Sequence, residues 1–382
     1  MDTCDISKEN MSHLYVWVLA PSLQTEDPNI DYYYDFSQSI AEYSKIFSAL
    51  NIQWRWQPVT LADYATVIAQ IIAEKETSNH IPVVLNLCDG DEINGTPGIS
   101  VVKMLDASGL IYTGADEYFY TITTSKIPMK KAFDTASVST AEWVAIHAAS
   151  DAKQEVFDKL GSPLIVKPSI SGGSMGVGIR NVVDKLTDLQ TQVAAMFAGY
   201  RGWDLAADGL IAETFIEGPE YTTMIVGSWT EPQNCKVYKG VERVFHASLP
   251  EREKFLSFDR LWEIYEEETP MPADENFYEY READAQLQEQ LKELSLSAFL
   301  AVRGTGYTRV DIRQDRYTGK LYVLEVNAQC GLSEDENFTS IGAILRVNKQ
   351  SFANLIMEII SEAIHRHTKQ LTQKASASSS VR

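Results

Sequence analysis

From Leu14 to Leu87, compact apolar runs alternate with stretches whose apolar positions recur at helical spacing. The run 14–19, halted by Ala20-Pro21, predicts a strand. A helix is predicted over 36–50, with Ile40, Phe47 and Leu50 among its apolar positions. A second strand near 52–56, a helix near 61–74 and a buried strand over 82–87 follow. Strand, helix, strand, helix, strand is the rhythm of a parallel sheet with helical crossovers. The loop Asp89–Gly98 lies just past the carboxyl end of the third strand, where open α/β sheets carry ligands.

The pattern changes near 120–131. Residues 162–168 predict another strand, followed by a Gly/Ser-rich loop and a strand-like run, Val177-Gly178-Ile179. Two strands, 307–313 and 321–326, bracket a turn at 315–319. A helix over 350–367 closes the pattern, and the Ser/Ala-rich end beyond it is expected to be disordered. There is no internal repeat.

A chain of 382 residues has room for two or three compact domains. Its net charge of −20 repels a phosphate backbone and an anionic membrane, so nucleic-acid and lipid binding are not expected. That charge also means a polyphosphate site must gather lysines and backbone amides locally. Cys4, Cys88, Cys235 and Cys330 are scattered, without zinc or disulfide-framework spacing. No apolar run approaches the ~18 residues of a membrane span. The polar start, with Asp2, Asp5 and Glu9, is unlike a secretory leader, and a cytoplasmic address is expected.

The most distinctive stretch is Lys167-Pro168-Ser169-Ile170-Ser171-Gly172-Gly173-Ser174-Met175-Gly176-Val177-Gly178. Glycines let a backbone approach phosphate, serines add hydroxyl donors, and a strand-end lysine supplies a point charge. No Gly-Lys-Ser/Thr closes it, so it is not a P-loop. A glycine-rich hairpin alone would account for the glycines. Further on, Glu325 and Asn327 are two apart and share a strand face, and Asp311 can join them from the neighbouring strand. Three such oxygen donors suit Mg²⁺. Arg309 shares the face of Asp311 and can stabilise a developing oxyanion. A solvated hairpin face carrying ordinary charges is the other reading.

Together these pieces resemble the D-alanine–D-alanine ligase branch of the ATP-grasp superfamily, from about Val83 to the closing helix. Leu110-Ile111-Tyr112-Thr113-Gly114 is similar to the family's Leu-Pro-Tyr-Thr-Gly, and Lys126 and Lys167 fall at its two nucleotide lysines. Residues 169–178, including Ser169, Gly172, Gly173, Ser174 and Gly176, resemble the loop closing over the phosphates. In Ala212–Thr222, the resemblance implies that Glu213 meets the adenine amino group. Thr214, Phe215 and Ile216 would offer backbone contacts, and Glu220 would hold the ribose. Arg309-Val310-Asp311, Leu324–Asn327 and Cys330-Gly331-Leu332 match its arginine, metal ligands and glycine turn.

The implied fold is α/β of the ATP-grasp type, with ATP between the last two of three domains. These are an N-terminal parallel α/β domain (1–120), a central α+β unit (121–212) and a C-terminal α+β unit (213–370), before a tail (371–382). The implied chemistry uses ATP and Mg²⁺ to join a small amino-acid-like carboxylate to an amine through an acyl-phosphate. Arg309 and an amide near Gly331 would hold the oxyanion, and Ser174 would serve the phosphates. A homodimer is the habit of this branch.

Departures cluster in the substrate pocket. Tyr33, close to Asp35, stands where the family has a glutamate for the first substrate's amine. Gly173 replaces the serine linked to that glutamate, and Trp262 falls near the tyrosine that completes the set. Asn86-Leu87-Cys88-Asp89-Gly90 replaces Leu-His-Gly. Glu336, in Ser333-Glu334-Asp335-Glu336, stands near a carboxylate-binding serine; with its acidic neighbours it would repel a carboxylate and attract a cation. Neither substrate is therefore expected to be simply D-alanine. Arg260 is a candidate replacement for a phosphate-reaching lysine, or a surface arginine. His246 and Glu266-Glu267-Glu268 are expected to be solvated, and Trp54 and Trp56 to pack a strand. A non-catalytic nucleotide sensor or scaffold and a phosphotransferase stopping at the acyl-phosphate are the alternatives. Retention of Arg309, Asp311, Glu325 and Asn327 argues against the sensor.

Overall fold

The computed structural model describes residues 13–23, 35–200, 202–263, 268–272 and 275–379. Three sheets follow one another along the chain. The first is parallel, in the order β2-β1-β3-β4, from β1 (Leu14–Pro21), β2 (Gln53–Val59), β3 (Ile81–Asn86) and β4 (Ile111–Tyr112). The central strands β1 and β3 are buried almost throughout, as a sheet covered on both faces requires. β2 is an edge strand, which explains how it runs through Pro58 to Val59, beyond the predicted end at 56. Trp54 packs 5.4 Å from Phe47 and Trp56 packs 5.4 Å from Phe36, as strand-packing residues.

The second sheet is antiparallel, β5-β8-β6-β7, from β5 (Trp143–Ile146), β6 (Leu164–Pro168), β7 (Val182–Val183) and β8 (Leu210–Thr214). The boundary expected at 212 falls inside β8. The strand-like run expected at 177–179 is instead loop leading into a short 3-10 turn, Ile179–Asn181, before β7. Asn181 causes this: its side chain donates to Val166 O at 2.6 Å and Gly176 O at 2.9 Å, while accepting from Gly178 N.

The third sheet has the order β12-β11-β9-β13-β14, with β10 beside β9. Its strands are β9 (Glu220–Ser228), β10 (Lys236–Val237), β11 (Val241–Phe245), β12 (Tyr278–Glu282), β13 (Thr305–Gln314) and β14 (Leu321–Ala328). The closing helix, Phe352–Ser379, continues past 370, so the expected disordered tail is helical as far as Ser379.

The first and third sheets are tied together at two places. Gln329, at φ +56°, accepts from Ala115 N at 2.9 Å and donates to Asn86 O at 2.7 Å. Only glycine fits beside it at position 114, where a Cβ would lie 1.6 Å from the Gln329 amide oxygen. From the closing helix, Arg366 donates to Tyr112 O and Gly114 O, both at 2.7 Å.

Candidate active site

Antiparallel pairing of β13 with β14 sets Arg309 opposite Asn327 and Asp311 opposite Glu325, so four chemistry-bearing residues share one face. Asp311 is the hub. It accepts from Thr222 Oγ1 at 2.9 Å, from Arg309 Nε at 3.1 Å and NH2 at 2.9 Å, and from Asn327 Nδ2 at 3.0 Å. Burial and the adjacent Glu325 charge raise the Asp311 carboxyl despite Arg309. For Glu325, burial acts upward too, but Lys126, Arg309 and Lys167 outweigh it and hold this carboxyl low. Burial opposes the charge on Arg309, yet Asp311 more than offsets it, leaving a fixed cation.

Across from this face lies the Gly/Ser loop. Its turn is built from left-handed residues, Gly173 at φ +54° and Ser174 at φ +62°. The helix Phe258–Trp262 lies over it: Phe258 N donates to Val177 O at 2.8 Å and Trp262 Nε1 to Gly173 O at 2.8 Å. A Cβ on Gly173 would sit 3.0 Å from the Trp262 ring, so glycine here admits the tryptophan. Trp262 and Gly173, two of the three positions at which the sequence departs from the family's set, are in contact.

Lys126 joins the two halves. Its Nζ lies 3.4 Å from Ser171 Oγ in the loop and 3.4 Å from Glu325 Oε2 on β14. The serine–glycine flap and the carboxylate pair therefore border one space, within the reach of a single ammonium. Past β14, Gly331 is exposed and a Cβ there would meet nothing within 4 Å, so its backbone is open to a ligand.

Several residues expected to contact the nucleotide already have protein partners. Glu213 is 2% exposed and lies between two lysines, pairing with Lys130 and, at 2.7 Å, with Lys167. Burial pushes its carboxyl up, but Lys130 and Lys167 reverse this and hold it at about 2. It anchors Lys167. Glu220 is buried between Arg243 and Arg313, the latter at 3.1 Å, so its oxygens already have partners. The amides of Thr214 and Phe215 donate to Glu142 O and Pro163 O, and Ile216 O accepts from Arg313. Ser169 is fully buried, with its hydroxyl 2.7 Å from that of Ser125, which donates to Asp208 at 2.5 Å. Gly172 has open space around it, and Gly176 packs on Leu205.

Arg260 is not open to the cleft. Its side chain is 3% exposed and pairs with Glu253 at 2.6 Å and Glu268 at 3.4 Å. Glu268, expected in solvent, is buried and accepts from Ile179 N and Ser257 Oγ beneath the loop. Glu266, Glu267 and Tyr33 lie outside the described residues. His246 pairs with Glu275 at 3.0 Å. Asp35 stands two residues ahead of the helix Ser37–Leu50 and accepts from Ser37 N at 2.8 Å.

Among the remaining substrate-pocket candidates, Cys88 is buried while Asp89 is exposed. Tyr120 OH donates to Cys88 O at 3.3 Å and Gly90 O at 2.7 Å, fixing the backbone on both sides of Asp89. The walls around it push its carboxyl up to about 6. Glu334 pairs with Lys45 at 2.7 Å, and Asp335 accepts from the amides of Asn337 and Phe338. Of the acids expected to draw a cation, Glu336 alone is exposed and has no such partner among the described residues. Sequence reasoning missed Lys130, Asp208 and Glu42. Lys130 lay four residues past Lys126, a helical spacing that could have revealed it.

The description "D-ala D-ala ligase C-terminus" fits residues 132–361 of this sequence. The chain belongs to that family. It is 28% identical over 265 residues to D-alanine–D-alanine ligase B of Xanthomonas campestris pv. campestris, covering 69% of this chain and 73% of that one. With the D-alanine–D-alanine ligase of Desulfotalea psychrophila the identity is 27% over 304 residues, covering 79% and 84%. The fold is shared with the crystal structure of the Bacillus anthracis D-alanine–D-alanine ligase complexed with ATP. There the TM-score is 0.63 at 19% identity, over 94% of this chain and 99% of that one. The Coxiella burnetii ligase gives a TM-score of 0.64 at 17% identity, covering 97% and 100%.

The donor set fits Mg²⁺. Two carboxylates and an amide are too few to enclose an ion, and the described residues hold no cluster of three acids, histidines or cysteines. Mg²⁺ commonly takes such a partial set and completes it with water and phosphate oxygens.

Proposed function

We infer that this protein is an ATP-dependent carboxylate–amine ligase that forms an amide through an acyl-phosphate, releasing ADP and phosphate. The observation that carries the reading is the position of Lys126, 3.4 Å from both the flap serine and the Glu325 carboxylate. A triphosphate entering that space meets the lysine, the flap and the acidic face at once.

Asp311, Glu325 and Asn327 would hold Mg²⁺, which supplies charge neutralisation for the β- and γ-phosphates when bound. The chain's residues do the rest. Lys126 and Lys167 present their ammonium groups to the phosphates, and Glu213 keeps Lys167 in place. Trp262 seals the flap through Gly173 O, keeping water from an acyl-phosphate. Carboxylate oxygen attacks the γ-phosphorus and ADP leaves. The amine then attacks the acyl carbon, loses a proton, and phosphate departs. Arg309, held by Asp311, and the open backbone at Gly331 face the oxyanion of that second step. No side-chain nucleophile is needed.

The relatives are named for D-alanine, but Gly173 under Trp262, Asp89 and exposed Glu336 support a different substrate pair here. The test is mass spectrometry of products, with ADP release, after incubation with ATP, Mg²⁺ and pooled amino acids. An amide product that depends on both substrates is expected. Hydroxamate formed with hydroxylamine but no amide with any amine would favour the phosphotransferase instead. Turnover with D-alanine alone would refute the altered pocket.

A further inference from the structure

The helix Ser37–Leu50 presents Gln38, Glu42 and Lys45 at helical spacing toward the loop that follows β14. Glu42 is 7% exposed, with its carboxylate in the interface. One oxygen accepts from Ser333 Oγ at 2.8 Å and Gln38 Nε2 at 3.0 Å. The other accepts from Glu334 N at 3.2 Å. Lys45 holds the Glu334 side chain at 2.7 Å, and Gln38 also reaches Asp335 at 3.5 Å. The same Ser333 hydroxyl accepts from Asp335 N at 3.1 Å, and past Glu336 the chain is held separately, where Tyr278 OH donates to Phe338 O at 3.1 Å.

These contacts join residues nearly 300 positions apart. They fall on the segment that begins at the open Gly331 backbone and ends at exposed Glu336. A buried carboxylate with three donors makes a stiff hinge point, because losing it strands a hydroxyl and an amide together. We propose that Glu42 is a positioning residue for the amine acceptor. It sets the pose of Gly331 to Glu336 from the first helix, so that Glu336 alone of the three acids faces the incoming amine. This rests on the ligase reading of the site. It also makes acceptor choice a property of two distant segments, so an acceptor-loop graft without its helix face would not transfer specificity.

The test is steady-state kinetics on Glu42→Ala, Glu42→Gln and Ser333→Ala with the amine found for wild type, alongside ADP binding by calorimetry. Glu42→Ala is expected to raise the amine KM roughly tenfold while the ADP Kd stays within about twofold. Glu42→Gln keeps one acceptor and is expected to lie between it and wild type. Ser333→Ala removes the hydroxyl that donates to Glu42 and accepts from Asp335 N, should fold normally, and is expected to raise the amine KM about threefold. A merely structural role would lower thermal stability and move every parameter together, or none; either result overturns the proposal. If Glu42→Ala fails to fold, unchanged amine KM in both milder variants does the same. Wild type showing no amine-dependent ADP release would instead sink the ligase reading itself.

Discussion

Replacing Glu213 with glutamine removes a buried carboxylate that pairs with two lysines, one of them fully buried. Lys130 and Lys167 hold the Glu213 carboxyl at about 2, below the ordinary 4.5, while burial pushes the Lys130 ammonium down, so the pair depends on both partners being present. Loss of one partner from a buried pair costs roughly 3–5 kcal/mol. Glu213→Gln should therefore unfold in urea with a stability loss of about 3 kcal/mol. The sign with pH follows from a depressed carboxyl: the contribution is complete above about 4.5 and is lost as pH falls through about 2. The gap between wild type and variant should be constant near neutrality and narrow in acid. A second change, Lys130→Met, removes the ammonium left unpaired. The double variant should then be less destabilised than the two singles summed. Because Lys167 also loses its 2.7 Å partner, ADP binding should weaken in Glu213→Gln. A loss below about 1 kcal/mol at pH 7, or strict additivity in the double variant, would refute the account of Glu213 as the counter-ion of both lysines.

Asp89, raised to about 6, should impose a rise in kcat/KM with pH through that value if its carboxylate reads a substrate cation. Asp89→Asn should flatten the profile, and an unchanged inflection would remove Asp89 from the pocket. Asp311→Asn removes the charge and turns one of the two oxygens that accept four hydrogen bonds into a donor, and turnover should fall at least about a hundredfold. EDTA should stop wild-type turnover, and excess Mg²⁺ should restore it. Gly173→Val places a branched side chain at φ +54° against Trp262, so ADP affinity should drop roughly tenfold. The intrinsic fluorescence of Trp262 should shift in the same variant, and a normal ADP Kd would count against the flap's seating.

The parallel sheet was legible because β1 and β3 are continuous apolar runs, and the acidic face because period two on β14 forces Glu325 and Asn327 to one side. What spacing along one strand cannot reveal is who already occupies a carboxylate. Glu213 and Glu220 read as open ligands, yet Lys130, Lys167, Arg243 and Arg313 reach them from other segments. Arg260 failed for the same reason, since Glu253 and Glu268 close on it from flanking loops. The tail past 370 misled through composition, because serine and alanine there continue an established helix at little cost.

Gln329 stands one residue past the strand that carries Glu325 and Asn327, and its amide fastens the first sheet to the third. Arg366 makes a second seam, from the closing helix to the first sheet. The segment between β5 and β8, with the flap and Lys167, meets the acidic face through Lys126 and is expected to be the part that moves when a nucleotide enters. A tether between those two parts should lock the enzyme, while one across the Gln329 seam should leave turnover untouched.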